Sequence, residues 1–204
     1  MIAITRRLAW ILIGALLAGN ASAATLQISV VDEAGKPLAD TAVFLDSPQA
    51  KRAIKPLPGA SVGQKDRTFI PSLLIIPTGT SVHFPNMDTV RHHVYSFSPA
   101  KRFELKLYVG TPAEPVVFDQ SGIVLLGCNI HDQMVGTILV VDTPFYGITS
   151  ADGRLTLHNV PAGPYTLRAW HSRLPNGTTV QAQPITLNAE QADTKVVLKK
   201  LRRQ

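Results

Sequence analysis

Three side chains, each separated from the next by two residues, carry the most distinctive chemistry in this chain. They are Cys128, His131 and Met134, in Gly127-Cys128-Asn129-Ile130-His131-Asp132-Gln133-Met134. A thiol, an imidazole and a thioether in one short loop make a soft donor set that suits copper. Two His and one Cys in a trigonal plane with a weak axial Met describe a one-electron copper site. Cys128 is the single cysteine of the 204 residues. The second imidazole must come from another segment, and Arg91-His92-His93-Val94 offers a candidate. Side chains of an extended strand alternate between faces, so His92 and His93 cannot both reach one ion unless the backbone departs from extended. Zinc fits poorly, because a closed zinc site needs more Cys and His than this spacing provides. Copper needs Cys128 as thiolate and neutral imidazoles, so binding releases protons and weakens in acid.

Upstream, Val82-His83-Phe84-Pro85-Asn86-Met87-Asp88 followed by His92-His93-Val94 reads as a strand, an Asn-x-Asp turn and a first histidine ligand. Together with the Cys-x-x-His-x-x-Met run, this segment resembles the cupredoxins over residues 67–142. The loop spacing is most similar to that of amicyanin; plastocyanin and pseudoazurin have a longer His-to-Met gap, and azurin a longer Cys-to-His gap. The resemblance implies a Greek-key β-sandwich holding one type 1 copper through His92, Cys128, His131 and Met134. It favours His92 over His93 because the family's ligand stands two residues before an apolar core position, here Val94. Many cupredoxins have Asn where this chain has His93. The resemblance further implies that His131 is the more exposed ligand, in an apolar docking patch with Ile130, Met87 and Pro85. Asn86 is implied to fix the ligand loop through hydrogen bonds. His83 reads as an ordinary strand histidine and Asp132 as a solvated acid.

The implied role is a one-electron carrier between periplasmic or membrane redox partners. A copper chaperone or store, or a non-redox interaction module, are the alternatives. An enzyme is not expected and no catalytic residues are assigned. Multicopper oxidases and nitrite reductases need additional His clusters, and the chain has six His in all.

Export follows from the first residues. Arg6 and Arg7, the apolar run 8–18 and Ala21-Ser22-Ala23 read as a signal peptide over 1–23. The expected location is the periplasm, with membrane contact only through this segment if it is uncleaved. An unpaired thiol in an oxidising compartment calls for an occupant, which a metal supplies. The formal charge is +6, of which Arg6 and Arg7 account for two. The remaining basic residues, among them Lys101, Arg102, Lys106 and the 199–203 tail, are dispersed. That pattern argues against nucleic acid and suits a protein redox partner acidic at its docking face.

Fifteen Pro and fourteen Gly among short Val/Ile/Thr/Tyr runs predict an all-β chain. Residues 24–50 read as an N-terminal hairpin of Leu26–Val30 and Ala42–Leu45, and Ser47 to Asp66 as a loop or linker. The cupredoxin domain is expected over 51–143. In it, Ile123 to Leu126 forms a fully buried strand delivering Cys128, and Val135 to Val141 leads away from the ligand loop. Residues 144–204, with the Asp152-Gly153 turn and Val160-Pro161-Ala162-Gly163-Pro164-Tyr165-Thr166-Leu167-Arg168-Ala169-Trp170, resemble the second half of a carboxypeptidase-regulatory-like (transthyretin-like) β-sandwich. The hairpin resembles its opening. The expectation is a cupredoxin inserted into, or flanked by, a second small β-sandwich; alternatively the hairpin supplies the cupredoxin's first strands.

Overall fold

The computed structural model describes residues 23–175, 180–188 and 192–203. The proposed signal segment up to residue 22 lies outside them. Among the described residues no helix is long and apolar enough to cross a membrane.

In chain order the elements are β1 (Ala23–Asp32), β2 (Ala42–Asp46), α1 (Pro48–Arg52), β3 (Ala60–Ser61), β4 (Gly63–Lys65) and β5 (Thr68–Ile70). Then come β6 (Leu73–Pro77), β7 (Thr80–His83), β8 (His92–Ser98), β9 (Lys101–Tyr108), β10 (Val116–Phe118), β11 (Gly122–Gly127) and β12 (Val135–Val141). The chain closes with β13 (Tyr146–Ile148), β14 (Arg154–Pro161), β15 (Gly163–Trp170), β16 (Gln181–Leu187) and β17 (Ala192–Leu198). The expected all-β class is what the structure shows.

The strands form two face-to-face pairs of sheets. In the first pair, β10-β7-β3 packs on β6-β12-β11-β8-β9, and the small β4–β5 hairpin stands beside them. Their shared core includes Phe69, Val82, Phe84, Val94, Phe118, Val124, Leu126 and Ile138, and both Cys128 and Met134 belong to it. In the second pair, β14-β1-β17 packs on β13-β2-β15-β16, around Leu26, Ile28, Val30, Leu45, Leu157, Leu167 and Val196. The alternating burial of β1 is the period-two pattern of a strand with one face on a core. A third apolar cluster joins the two sandwiches: Ile75, Ile123, Leu139 and Val141 meet Ala42, Phe44, Trp170 and Leu174. Each large side chain fully buried there contributes roughly 1.5–3 kcal/mol.

Three expectations are corrected. The 24–50 segment is not a hairpin. β1 pairs with β14 and β17, whereas β2 pairs with β13 and β15, so the chain crosses between sheets through residues 33–41. The crossing turns on Asp40, at φ 52°, and is tied down at Thr41, whose amide donates to Thr149 Oγ1 at 3.0 Å. The 47–66 stretch is not a linker. It contains α1, capped by the Ser47 hydroxyl accepting from the Ala50 amide, and then β3 and β4, with Gln64 fully buried. Finally, β11 is not buried throughout, because Leu125 faces outward and is 42% exposed.

Candidate metal centre

The turn between β11 and β12 carries the sulfur donors. Gly127 pairs with Val135, so residues 128–134 form the loop of a tight antiparallel hairpin, closed by the Met134 amide donating to the His131 carbonyl at 2.9 Å. Gly127 leaves room there for the Tyr95 ring. A Cβ at this position would lie 2.7 Å from Cζ of Tyr95, whose ring covers the hairpin. Cys128 is unpaired and buried, and Met134 is 1% exposed within the same core.

β8 supplies the remaining imidazole. A register irregularity between His92 and Val94 in its pairing with β9 brings His92 inward, where it is fully buried. His92 Nδ1 lies 3.9 Å from Cys128 Sγ, and the His92 and His131 rings are 5.1 Å apart, inclined at 58°. One donor atom from each of His92, Cys128 and His131 falls within 4.8 Å of the others. His131 Nδ1 is buried without a hydrogen-bond partner, an orphan that costs free energy unless something satisfies it. A soft sulfur donor and two imidazoles, one of them with this unsatisfied nitrogen, fit a transition-metal ion. His93 faces away. Its Nε2 meets Glu104 Oε1 at 2.8 Å, and its ring lies 5.5 Å from that of Tyr95. His83 is exposed on β7.

One residue of the site was not singled out from the sequence. His92 Nε2 donates to Asp88 Oδ2 at 2.7 Å, so that in the neutral imidazole the bare nitrogen is Nδ1, which faces the thiol. Asp88 in turn accepts from the backbone amides of Asp66, at 2.7 Å, and Arg67, at 3.0 Å. Both amides belong to the two-residue turn between β4 and β5, where Asp66 and Arg67 sit at φ 52° and 57°, the geometry of a tight hairpin turn. The Arg67 amide above all, with His92 and the Asp66 amide, holds the Asp88 carboxyl at about 2, against partial burial acting the other way. A carboxylate on the outer nitrogen of a ligating imidazole fixes its tautomer and raises its basicity. Asp88→Ala is expected to weaken metal binding by about 10–100-fold, as read by competition against a chelator of known affinity.

Asn86 does a different job from the one the resemblance implies. Its Nδ2 donates to the carbonyls of Val90 and Tyr108, both at 2.9 Å, and its Oδ1 accepts from the Asp88 amide. It therefore clamps the 86–90 turn that presents Asp88; the hydrogen bonds found for it do not reach the 128–134 loop. Of the expected docking patch, Met87 is 55% and Ile130 51% exposed, while Pro85 and His131 are partly covered.

Tyr108 stands opposite His92 across β8 and β9. Its hydroxyl donates to the Phe84 carbonyl at 2.7 Å and accepts from Gln64 Nε2. Burial pushes this phenol up to about 12 from its ordinary 10.0, with the Gln64 bond acting the other way. The neutral form therefore favours the folded state. That contribution is complete below pH 10 and is lost as pH rises through about 12. An ultraviolet tyrosinate titration of the folded protein should show this last step, and Tyr108→Phe should remove it.

No protein-family model and no curated protein matches the chain. Among solved structures, similarity extends to a purple cupredoxin from Nitrosopumilus maritimus (24% identity, 40% of this chain and 99% of that one, TM-score 0.36). It extends also to an oxidized amicyanin mutant (16% identity, 48% and 98%, TM-score 0.38). A copper-containing nitrite reductase from Thermus scotoductus SA-01 is similar over 56% of this chain and 28% of its own (24% identity, TM-score 0.39). These three structures are cupredoxins and a copper-containing nitrite reductase, and each covers about half of this chain.

Proposed function

We propose that the chain is an exported type 1 copper protein of cupredoxin kind. In this reading it carries single electrons between periplasmic or membrane redox partners and is not itself an enzyme. His92, Cys128 and His131 would hold the ion, with Met134 as the weak axial donor, and the ion would supply the Cu(II)/Cu(I) couple. The observation that carries this reading is the convergence, among the described residues, of one thiol and two imidazoles from two separated segments within 4.8 Å.

The protein's part is to hold these donors still. His92 is fixed by Asp88, and Cys128 and His131 by the short β11–β12 hairpin. Both ends of the site rest on paired strands, so donor geometry is largely set before an ion arrives. His92 at 0%, Cys128 at 4% and Met134 at 1% exposure are kept from bulk water, which favours retention of the ion over its handover. The partly covered His131 is the donor nearest the surface. The basic balance of the chain suits an acidic docking face on the redox partner.

The test is to add Cu(II) to the purified chain lacking residues 1–23. An intense visible thiolate-to-copper charge-transfer band, at one copper per chain and reversibly bleached by a mild reductant, supports the proposal. Colourless binding, or release of copper to an acceptor on reduction, would favour storage or delivery instead.

A further inference from the structure

The outer face of the five-stranded sheet is only half covered. Cross-strand rows define it. Ile123 pairs with Leu139 and Leu139 with Ile75; Leu125 pairs with Thr137 and Thr137 with Leu73; Gly127 lies between Tyr95 and Val135. The first row is buried against Phe44 and Trp170 of the second sandwich. The other two emerge beside it, with Leu125 42% and Val135 66% exposed, and Phe97 on the same face of β8 as Tyr95 at 74%. The Tyr95 and Phe97 rings are 5.1 Å apart. Single exposed apolar residues are ordinary, but here several adjoin on one face and continue an apolar interface that is already formed. Where the face meets the second sandwich, a groove of about 580 Å³ is lined by Leu73, Leu125, Val135, Trp170, Asp40 and Arg202.

The rim is cationic. Arg102 pairs across from Phe97, and Lys106 points to the same side of β9. Glu104 lies between them, its carboxylate 2.8 Å from His93 Nε2, and among the described residues no carboxylate pairs with Arg102 or Lys106. At the groove, the Arg202 guanidinium donates to the carbonyls of Ser172 and Leu174. Asp40 lines the same groove.

We propose that this face docks an acidic protein partner, which sets apolar side chains against Phe97, Leu125 and Val135 and carboxylates against Arg102 and Lys106. The apolar contact continues the interface between the sandwiches, and the two unpaired cations, set against the single Glu104 carboxylate, select the sign of the partner. A lipid surface is flat, whereas the groove where this face meets the second sandwich is concave. No proposed metal ligand lies on the face, so the inference stands apart from the copper reading.

The test uses the metal-free full chain, isotopically labelled, titrated with a synthetic peptide alternating glutamate with leucine and phenylalanine. Amide shifts should concentrate at Phe97, Leu125, Val135 and Arg102. Binding should weaken by about tenfold in Phe97→Ser and in Arg102→Glu, and should fall with added salt. Shifts centred on Met87 and Ile130, or equal binding by both variants, would overturn the proposal. So would self-association abolished by Phe97→Ser, or binding to phosphatidylserine vesicles without binding to the peptide.

Discussion

Cys128→Ser is expected to abolish the intense visible band that Cu(II) gives with the unmodified chain, while leaving the fold intact. The band requires a thiolate bonded to the metal. A serine hydroxyl does not ionise at neutral pH and is a poor soft ligand. The substitution is nearly isosteric. Apart from the 3.9 Å approach of His92, the thiol has no hydrogen bond to lose among the described residues, so circular dichroism and thermal unfolding of the metal-free protein should hardly change. Two histidine variants sharpen the experiment. His92→Ala removes the donor that faces the thiol and should lose the band as well. His93→Ala should keep it, at a cost of about 1–2 kcal/mol in stability for the lost Glu104 bond and Tyr95 contact. A band that survived in Cys128→Ser would refute the ligand assignment, and one lost in His93→Ala alone would exchange the roles of the two histidines.

The donors in the 128–134 loop were legible because their spacing is local. A strand that ends at Gly127 and resumes at Val135 leaves no choice but a tight loop, and a tight loop holds its side chains near one another. The histidine pair was half legible. Alternation says that His92 and His93 diverge, but not which one turns inward. The irregularity in β8–β9 pairing decides that, and it depends on a partner strand more than ten residues away. Asp88 left a faint signal, an acid four residues before a histidine. Its role could not be read because the amides that hold it come from a turn at Asp66 and Arg67 with no Asn-Gly signature. Gln64 lay in a stretch whose Pro and Gly content hid its burial. The mistaken hairpin has the same origin as these. Alternating apolar residues show that a strand has one buried face, but not which strand lies beside it. β1 finds its neighbours in β14 and, in parallel, β17, far along the chain.

That long-range pairing sets the second large effect, expected at Gly153. The turn at Ser150–Arg154 lies directly on the crossing between β1 and β2. The Val30 amide donates to the Gly153 carbonyl at 2.8 Å, and the Gly153 amide to Ser150 at 2.8 Å. Gly153 has φ 72°, and a Cβ there would lie 2.5 Å from the Val30 carbonyl oxygen and 2.9 Å from the Leu38 nitrogen. Both are backbone atoms in paired segments and cannot step aside as a side chain would. Gly153→Ala should therefore cost on the order of 3 kcal/mol, lowering the melting temperature by roughly 10 °C for a chain of this size. Gly35 is the control. It too has positive φ, 81°, but nothing lies within 4 Å of its would-be Cβ, so Gly35→Ala should cost only about 1 kcal/mol. The probe is Trp170, fully buried where the two sandwiches meet. Because Ile75, Leu139 and Val141 of the metal-bearing sandwich pack on Ala42, Phe44 and Trp170 of the other, damage at Gly153 should unfold both together. Copper bound in the first sandwich should then raise the Trp170 transition of Gly153→Ala, through mass action on the folded state. A Trp170 transition that ignores copper would mean that the two sandwiches melt apart and that their shared cluster is too weak to couple them.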